Sequence, residues 1–252
     1  QIVRGGAHGE CRMIVLAPAS VQEAVEMTAL SFDLAEKYRT VVCILMDGFL
    51  GQMMEPAELP EFVPLKTEVP DWAVKGEKGR EKRVLTSINI DPPAQERENL
   101  KREMNWQKIR QNEVRCKGYY LDDAEYVVVG FGTAGRIALS AVREAREKGV
   151  KVGLFRPITL APFPEKELDE LMEKAKAFLV VELNNGMMLD DVLAIAKGRK
   201  PVEFTARMGG MVPYPNEILA RIESMVRGDH SLEGDPRDRW VARLTEKTGI
   251  GA

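Results

Sequence analysis

Residues 124–155 read AEYVVVGFGTAGRIALSAVREAREKGVKVGLF. The stretch opens with a β-branched apolar run that ends at a glycine. An alanine-rich segment with charged residues at helical spacing follows, and a second short apolar run closes it. Strand, helix and strand in immediate succession make a βαβ unit, which predicts an α/β fold around a parallel sheet. The pattern continues downstream. Pro164 opens a helix to about 175, and a strand is predicted over 178–182, a helix over 189–196, a strand over 202–205 and a helix over 216–226. The tail from 229 is polar, with Trp240 and Leu244 as its obvious anchors; it docks or stays loose.

Upstream, the same logic predicts a strand over 12–17 (RMIVLA), then Pro18 and the capping-box pattern Ser20-Val21-Gln22-Glu23. From Val21 the positions Ala24, Val25, Thr28, Ala29, Phe32 and Ala35 recur at helical spacing to about Tyr38. The uniformly apolar VVCILM over 41–46 reads as a strand covered on both faces, ended by the turn Asp47-Gly48. Residues 51–118 change character. Pro56, Pro60, Pro64 and Pro70 break regular structure, and a charged run follows over 75–83. Within this excursion 92–114 suits an exposed helix held by Met104, Trp106 and Ile109.

Composition sets outer limits. The 252 residues, 44 % hydrophobic and 30 % charged, are ordinary for a globular protein of two domains. The 36 basic and 39 acidic side chains are mixed, so no basic face points to nucleic acid or an anionic membrane. No run approaches the roughly 18 apolar residues of a membrane span. A cytoplasmic protein without nucleic-acid or membrane partner is expected. Cys11, Cys43 and Cys116 stand apart, without the spacing that holds an iron–sulfur cluster, and read as small core hydrophobes in a reducing compartment. The chain opens on Gln1 in a Gly-rich stretch, which reads as a fragment or a processed product.

Gly130-Phe131-Gly132-Thr133-Ala134-Gly135 spells G-x-G-x-x-G between a strand and a helix, where a dinucleotide fold seats its pyrophosphate. That fold wants an acidic residue about twenty positions on for the ribose. Here the next strand ends Leu154-Phe155-Arg156-Pro157, and Arg156 would suit only the 2′-phosphate of NADP. The other reading is structural: three glycines let a strand turn tightly into a closely packed helix.

Several segments, in order and spacing, resemble the alpha subunit of 2-oxoacid:ferredoxin oxidoreductases, nearest the 2-oxoisovalerate (3-methyl-2-oxobutanoate) type. They are GGAHGE with IVLAPASVQEAVEM, MDGFLGQMMEP (46–56), VVVGFGTAGRIA, LAPFP (160–164), VELNNGMM (181–188) and MGGMVP (208–213). The resemblance implies part of a thiamine-type pyrimidine-binding domain followed by a transketolase C-terminal-like parallel αβ domain. The expected division is 1–50 for the second half of the pyrimidine-binding domain, 51–118 for the excursion, 119–228 for the transketolase C-terminal-like domain and 229–252 for the polar tail.

The resemblance also implies a reaction: oxidative decarboxylation of a 2-oxo acid to acyl-CoA with reduction of ferredoxin, carried out on thiamine diphosphate. Thiamine diphosphate and Mg are then held mainly by a partner subunit, and iron–sulfur clusters sit on partner subunits. The family's aminopyrimidine carboxylate, its Tyr-Pro-Ile-Thr-Pro segment and its Arg-Gly-Gly-Pro-Gly loop belong to an N-terminal part. None of them occurs in this sequence, where Val3-Arg4-Gly5-Gly6 continues as Ala7-His8. This implies a chain with no catalytic residue, which binds no cofactor or metal alone. Because the resembling domain of transketolase binds no dinucleotide, the resemblance favours the structural reading of Gly130 to Gly135.

Individual residues then sort as follows. His8 in its glycine loop, and Asp47, Gln52 and Glu55 beyond the C-terminal end of a strand, are candidates for the periphery of an active site, because open α/β sheets bind ligands at that edge. A surface role for His8 and a turn role for Asp47 are the plain alternatives. Met53, Met54, Met187, Met188 and Met211, with Met208, read as adaptable subunit contacts or as core filling. Glu182 ends an apolar strand as an interdomain contact or a partner for a helix N-terminus. Two rival functions stay open from the residues alone: an NADP-dependent dehydrogenase using the Gly130–Gly135 turn, and a noncatalytic assembly module whose excursion wraps a partner.

Overall fold

The computed structural model describes residues 2–6, 11–62, 69–86 and 88–249. Two sheets organise them. The larger holds β3 (Cys116–Tyr119), β4 (Tyr126–Gly130), β5 (Val152–Pro157), β7 (Ala177–Glu182) and β8 (Val202–Ala206) in the order β3-β5-β4-β7-β8. Three of its four pairings are parallel, and that of the edge strand β3 with β5 is antiparallel. The smaller holds β1 (Ile14–Leu16), β2 (Val42–Ile44) and β6 (Thr159–Ala161) in the order β2-β1-β6.

The large sheet is buried on both faces, as its nearly unbroken apolar strands require. Period-2 alternation assigns the faces. Val127, Val129, Phe178 and Val180 point into a core shared with α5 (Glu165–Lys174), α6 (Met187–Ala196) and α8 (Pro236–Thr248). Val128, Leu179 and Val181 point into a second core with α4 (Gly132–Glu147) and α7 (Pro215–Val226). The tail therefore docks. Trp240 of α8 is buried against Phe204, with ring centroids 5.1 Å apart, and its indole N–H donates to the Ala206 carbonyl at 3.1 Å. Beside it, the fully buried Glu203 is neutralised by Arg221 and Arg239, each at 2.9 Å.

The small sheet packs with α1 (Val21–Tyr38) and the last turns of α3 (Pro92–Asn112) through Leu16, Met27, Leu34, Tyr38, Trp106 and Ile109. The α1 boundaries agree with the periodicity, but its buried stripe is Met27, Leu34 and Tyr38, and Phe32 is 69 % exposed. The longer side chains won the core-facing stripe from the smaller ones around Ala24 and Ala29. β2 is an edge strand and only half-buried, so it is not covered on both faces as its composition predicts. Met104 is largely exposed, leaving Trp106 and Ile109 to anchor α3. Cys11 is exposed, whereas burial pushes the half-buried Cys43 and Cys116 thiols up, consistent with packing rather than reactivity for those two.

Periodicity did not reveal two further strands. β3 pairs as an antiparallel edge to β5, and β6 ends within the start of the predicted LAPFP turn. β6 leaves the large sheet after one intervening residue, Ile158, and pairs antiparallel with β1. The Ile158 carbonyl accepts from Ala17 N–H at 2.8 Å. The two sheets thus share one continuous extended run. Among the described residues, no helix is long and apolar enough to cross a membrane.

Candidate functional site

Asp47 follows β2 and caps α2 (Gly48–Gly51), accepting from the Leu50 amide at 2.9 Å. Its carboxylate also accepts from the Thr133 amide at 3.2 Å and the Thr133 hydroxyl at 2.9 Å, at the first turn of α4. The orphan amides and positive dipole end of α4 are therefore met by a carboxylate from this same chain, where a dinucleotide fold would place its pyrophosphate.

The three glycines fit this arrangement. Gly132 has φ +54°, and a Cβ there would lie 3.4 Å from Asp47 Oδ2. A Cβ on Gly135 would lie 2.6 Å from the Gly130 carbonyl oxygen, so the strand and helix approach too closely for any side chain at that point. Arg156 is likewise engaged. Its buried guanidinium donates twice to Glu23, at 2.7 Å each, and Glu23 accepts in addition from Ala19 N–H at 2.8 Å. Burial pushes the Glu23 carboxyl up, but the Arg156 and Ala19 hydrogen bonds outweigh it and hold it below its ordinary value. Both terminal nitrogens of Arg156 are thus held by Glu23 rather than open to a 2′-phosphate.

Two more contacts complete the seam between the sheets. Glu55 accepts from the Val21 amide at 3.1 Å and pairs with Arg136 of α4, whose guanidinium also reaches the Met53 sulfur at 3.4 Å. Glu113, beyond α3, is buried and accepts from Lys37 at 2.7 Å, the Tyr38 hydroxyl at 2.5 Å and Arg115 at 2.9 Å. Burial alone would raise its carboxyl; these donors lower it. Gln52 is the exposed C-cap of α2 and does not join the seam. His8 lies outside the described residues.

The methionines divide. Met54, Met187 and Met211 are exposed by 96, 50 and 49 %, and Met53 is half-buried. Met188 is 3 % exposed and packs in the core under α6, which removes it from the subunit-contact candidates. Glu182 serves a helix N-terminus: fully buried, it accepts from the Met188 and Leu189 amides at 3.0 and 2.9 Å and from Asn184. Burial raises its carboxyl.

A cavity of about 410 Å³ opens at the C-terminal ends of β2, β4 and β7, walled by Leu45, Phe131, Leu160, Phe163, Met187 and Met188. A neighbouring cavity of about 220 Å³ brings Arg4, Arg12 and Arg110 around Trp106. Each of these arginines already faces a carboxylate: Arg4 with Asp191 at 2.5 Å, Arg12 with Glu103 at 3.7 Å and Arg110 with Glu165 at 3.6 Å. Asp47 holds the anion position of α4, and among the described residues no three His, Cys, Asp or Glu side chains cluster so as to hold a metal ion.

Family profiles match two successive stretches of this chain. Residues 3–118 fit the profile described as pyruvate flavodoxin/ferredoxin oxidoreductase, thiamine diP-binding, and residues 124–218 fit pyruvate:ferredoxin oxidoreductase core domain II. The chain belongs to the 2-oxoacid:ferredoxin oxidoreductase family, as an alpha-type subunit chain. Among its relatives, the ketoisovalerate oxidoreductase subunit VorB of Methanothermobacter thermautotrophicus is 43 % identical over 231 residues, 92 % of this chain and 65 % of that one. VorB of Methanothermobacter marburgensis is 43 % identical over 89 % of this chain and 64 % of its own. The 2-oxoglutarate synthase subunit KorA of M. marburgensis is 33 % identical, over 88 % of this chain and 66 % of its own. The chain thus spans just under two thirds of the length of these relatives. Among solved structures, the 2-oxoglutarate:ferredoxin oxidoreductase of Magnetococcus marinus, with 2-oxoglutarate, coenzyme A and succinyl-CoA bound, superposes with a TM-score of 0.72. It matches 88 % of this chain and 43 % of its own at 21 % identity, which shows a shared fold.

Proposed function

We propose that this chain is a noncatalytic portion of one subunit of a thiamine diphosphate-dependent 2-oxoacid:ferredoxin oxidoreductase acting on a branched-chain 2-oxo acid. The complete enzyme would convert the 2-oxo acid and coenzyme A to acyl-CoA and carbon dioxide, reducing ferredoxin in the cytoplasm. The observation that carries this reading is the 43 % identity to a ketoisovalerate oxidoreductase subunit, sustained over 92 % of the chain. Its role would be a framework. Asp47, Glu55 and Glu23 lock α4 and β5 to the unit that borders the active site, Gln52 and His8 lie toward its periphery, and Met53, Met54, Met187 and Met211 meet other subunits. Thiamine diphosphate and magnesium would be gripped by a partner subunit, and iron–sulfur clusters on partners would accept the electrons.

The assembly-module reading shares this framework and lacks only the thiamine chemistry. The NADP-dehydrogenase reading is disfavoured by Asp47 on the α4 amides and by Glu23 on Arg156. The test is viologen reduction with 2-oxoisovalerate, coenzyme A, thiamine diphosphate and magnesium. No turnover is expected from the isolated chain, and turnover is expected from the complete subunit combined with its diphosphate-binding and cluster-bearing partners. Cofactor-dependent turnover by the isolated chain would refute the noncatalytic role. A complete complex inactive on every 2-oxo acid would refute the reaction itself.

A further inference from the structure

A cavity of about 280 Å³ opens beside the carboxyl end of β8, between α7 and α8. Open α/β sheets bind ligands at that edge, and no residue of the seam around Asp47 lines this cavity. Its walls carry Arg207, Arg221, Arg243 and Lys247 but only two carboxylates, Glu217 and Asp229. Trp240, Leu244 and Ala220 supply an apolar floor.

The carboxylates in reach are already shared. Glu217 pairs with both Arg207 and Lys247. Glu203, behind the wall, pairs with Arg221 and Arg239 at 2.9 Å each, and Asp229 pairs with Arg221. With Arg243, five cations divide three carboxylates, an excess of two positive charges. Arg243 is served least. It donates to the neutral Phe204 carbonyl at 2.9 Å, and its ion pair with Glu203 is stretched to 3.7 Å. Burial and the charge of Arg221 push its guanidinium down. Arg221 itself, 6 % exposed, keeps an Nε–H without an acceptor among the described residues. Cations withdrawn from water without matching counter-charge are costly, and an added anion relieves them. A carboxylate would offset half of the excess. A phosphate monoester, with a second pKa of about 6, brings nearly two charges and three acceptor oxygens, which suit guanidinium and ammonium donors. The floor asks for an apolar group on that phosphate. The volume, at the lower end of the roughly 300–1,000 Å³ usual for ligand pockets, keeps that group small.

We propose that this cavity binds a small phosphate monoester, its dianion set among Arg207, Arg243 and Lys247 and its apolar group on Trp240 and Leu244. This goes beyond the reaction and does not rest on it. Titration calorimetry of the chain at low ionic strength, with phenyl phosphate as the probe, should show a single site with a Kd below about 1 mM. Inorganic phosphate, lacking the ring, should bind at least roughly tenfold more weakly. Benzoate, which keeps the ring but brings one charge, should also bind at least roughly tenfold more weakly. Arg243→Gln and Lys247→Gln should each weaken phenyl phosphate roughly tenfold, whereas Arg143→Gln, exposed on α4, should leave it unchanged. Circular dichroism verifies that each variant folds, and Lys247→Gln decides alone if Arg243→Gln does not. No saturable binding of phenyl phosphate, benzoate bound as tightly as phenyl phosphate, or an affinity indifferent to both substitutions in the cavity would overturn the proposal.

Discussion

Replacing Asp47 by alanine removes three hydrogen bonds at once, to the Leu50 amide, the Thr133 amide and the Thr133 hydroxyl. The cap on α2 is worth about 1 kcal/mol or less, because α2 is a single turn. The Thr133 loss weighs more. Thr133 is 2 % exposed, so its amide and hydroxyl are left unpaired in the interior, at about 1–3 kcal/mol. Together Asp47→Ala is expected to cost about 2–4 kcal/mol, which at a urea slope of about 2–3 kcal/mol/M lowers the midpoint by roughly 1 M. Asp47→Asn keeps one acceptor oxygen and should fall between. Gln52→Ala, five residues on and exposed, should change stability by less than about 0.5 kcal/mol. Urea unfolding of the three variants, with amide exchange at Thr133, makes the comparison. An Asp47→Ala loss no larger than that of Gln52→Ala would refute the seam. Micromolar NADPH binding by the wild-type chain would refute the claim that Asp47 holds the helix terminus.

Gly135→Ala should lower stability by about 1–3 kcal/mol, because its Cβ would press on the Gly130 carbonyl, whereas Gly51→Ala, with open space around it, should be near neutral; thermal unfolding separates them. Glu217 gives a pH test. Burial pushes its carboxyl up, but hydrogen bonds from Arg207, Lys247 and the Tyr214 amide prevail and bring it down to about 2 from 4.5. A depressed carboxyl stabilises the fold above its unfolded value, and that contribution fades as pH falls from 4.5 toward about 2. Glu217→Gln should therefore be less stable than wild type near neutral pH, by up to about 3 kcal/mol, with the gap closing at about pH 2. A gap independent of pH would contradict this assignment.

The alternation of strands and helices after Ala124 was legible because each element is long and strongly patterned. The helix from Val21 to Tyr38 was legible because Ser20 caps it, the Ser20 hydroxyl accepting from the Glu23 amide at 3.2 Å. β3 and β6 were not. Each is four residues or fewer, and their pairing is set by partners far along the chain. The seam was half legible. Asp47 and Glu55 stood out beyond a strand end, but Thr133 and Arg136 carry no local mark, and Glu23 looked like a capping residue while its guanidinium partner lies 133 positions on. Arg156 suggested a phosphate site because local sequence shows a charge without showing what already neutralises it. Phe32 misled for a related reason: helical spacing admits more than one stripe, and tertiary packing chooses among them.

The extended run 152–161 leaves one sheet and enters the other with a single residue between. A gene divided near residue 120 would therefore yield two polypeptides that are each short of a part. The first would keep β1 and β2 without the strand that flanks β1, and the second would carry β6 with nothing to pair against. Such halves are complementary fragments, each regaining its missing strand partner only by meeting the other. The break that would leave both products self-sufficient does not lie where the two αβ patterns meet in the sequence.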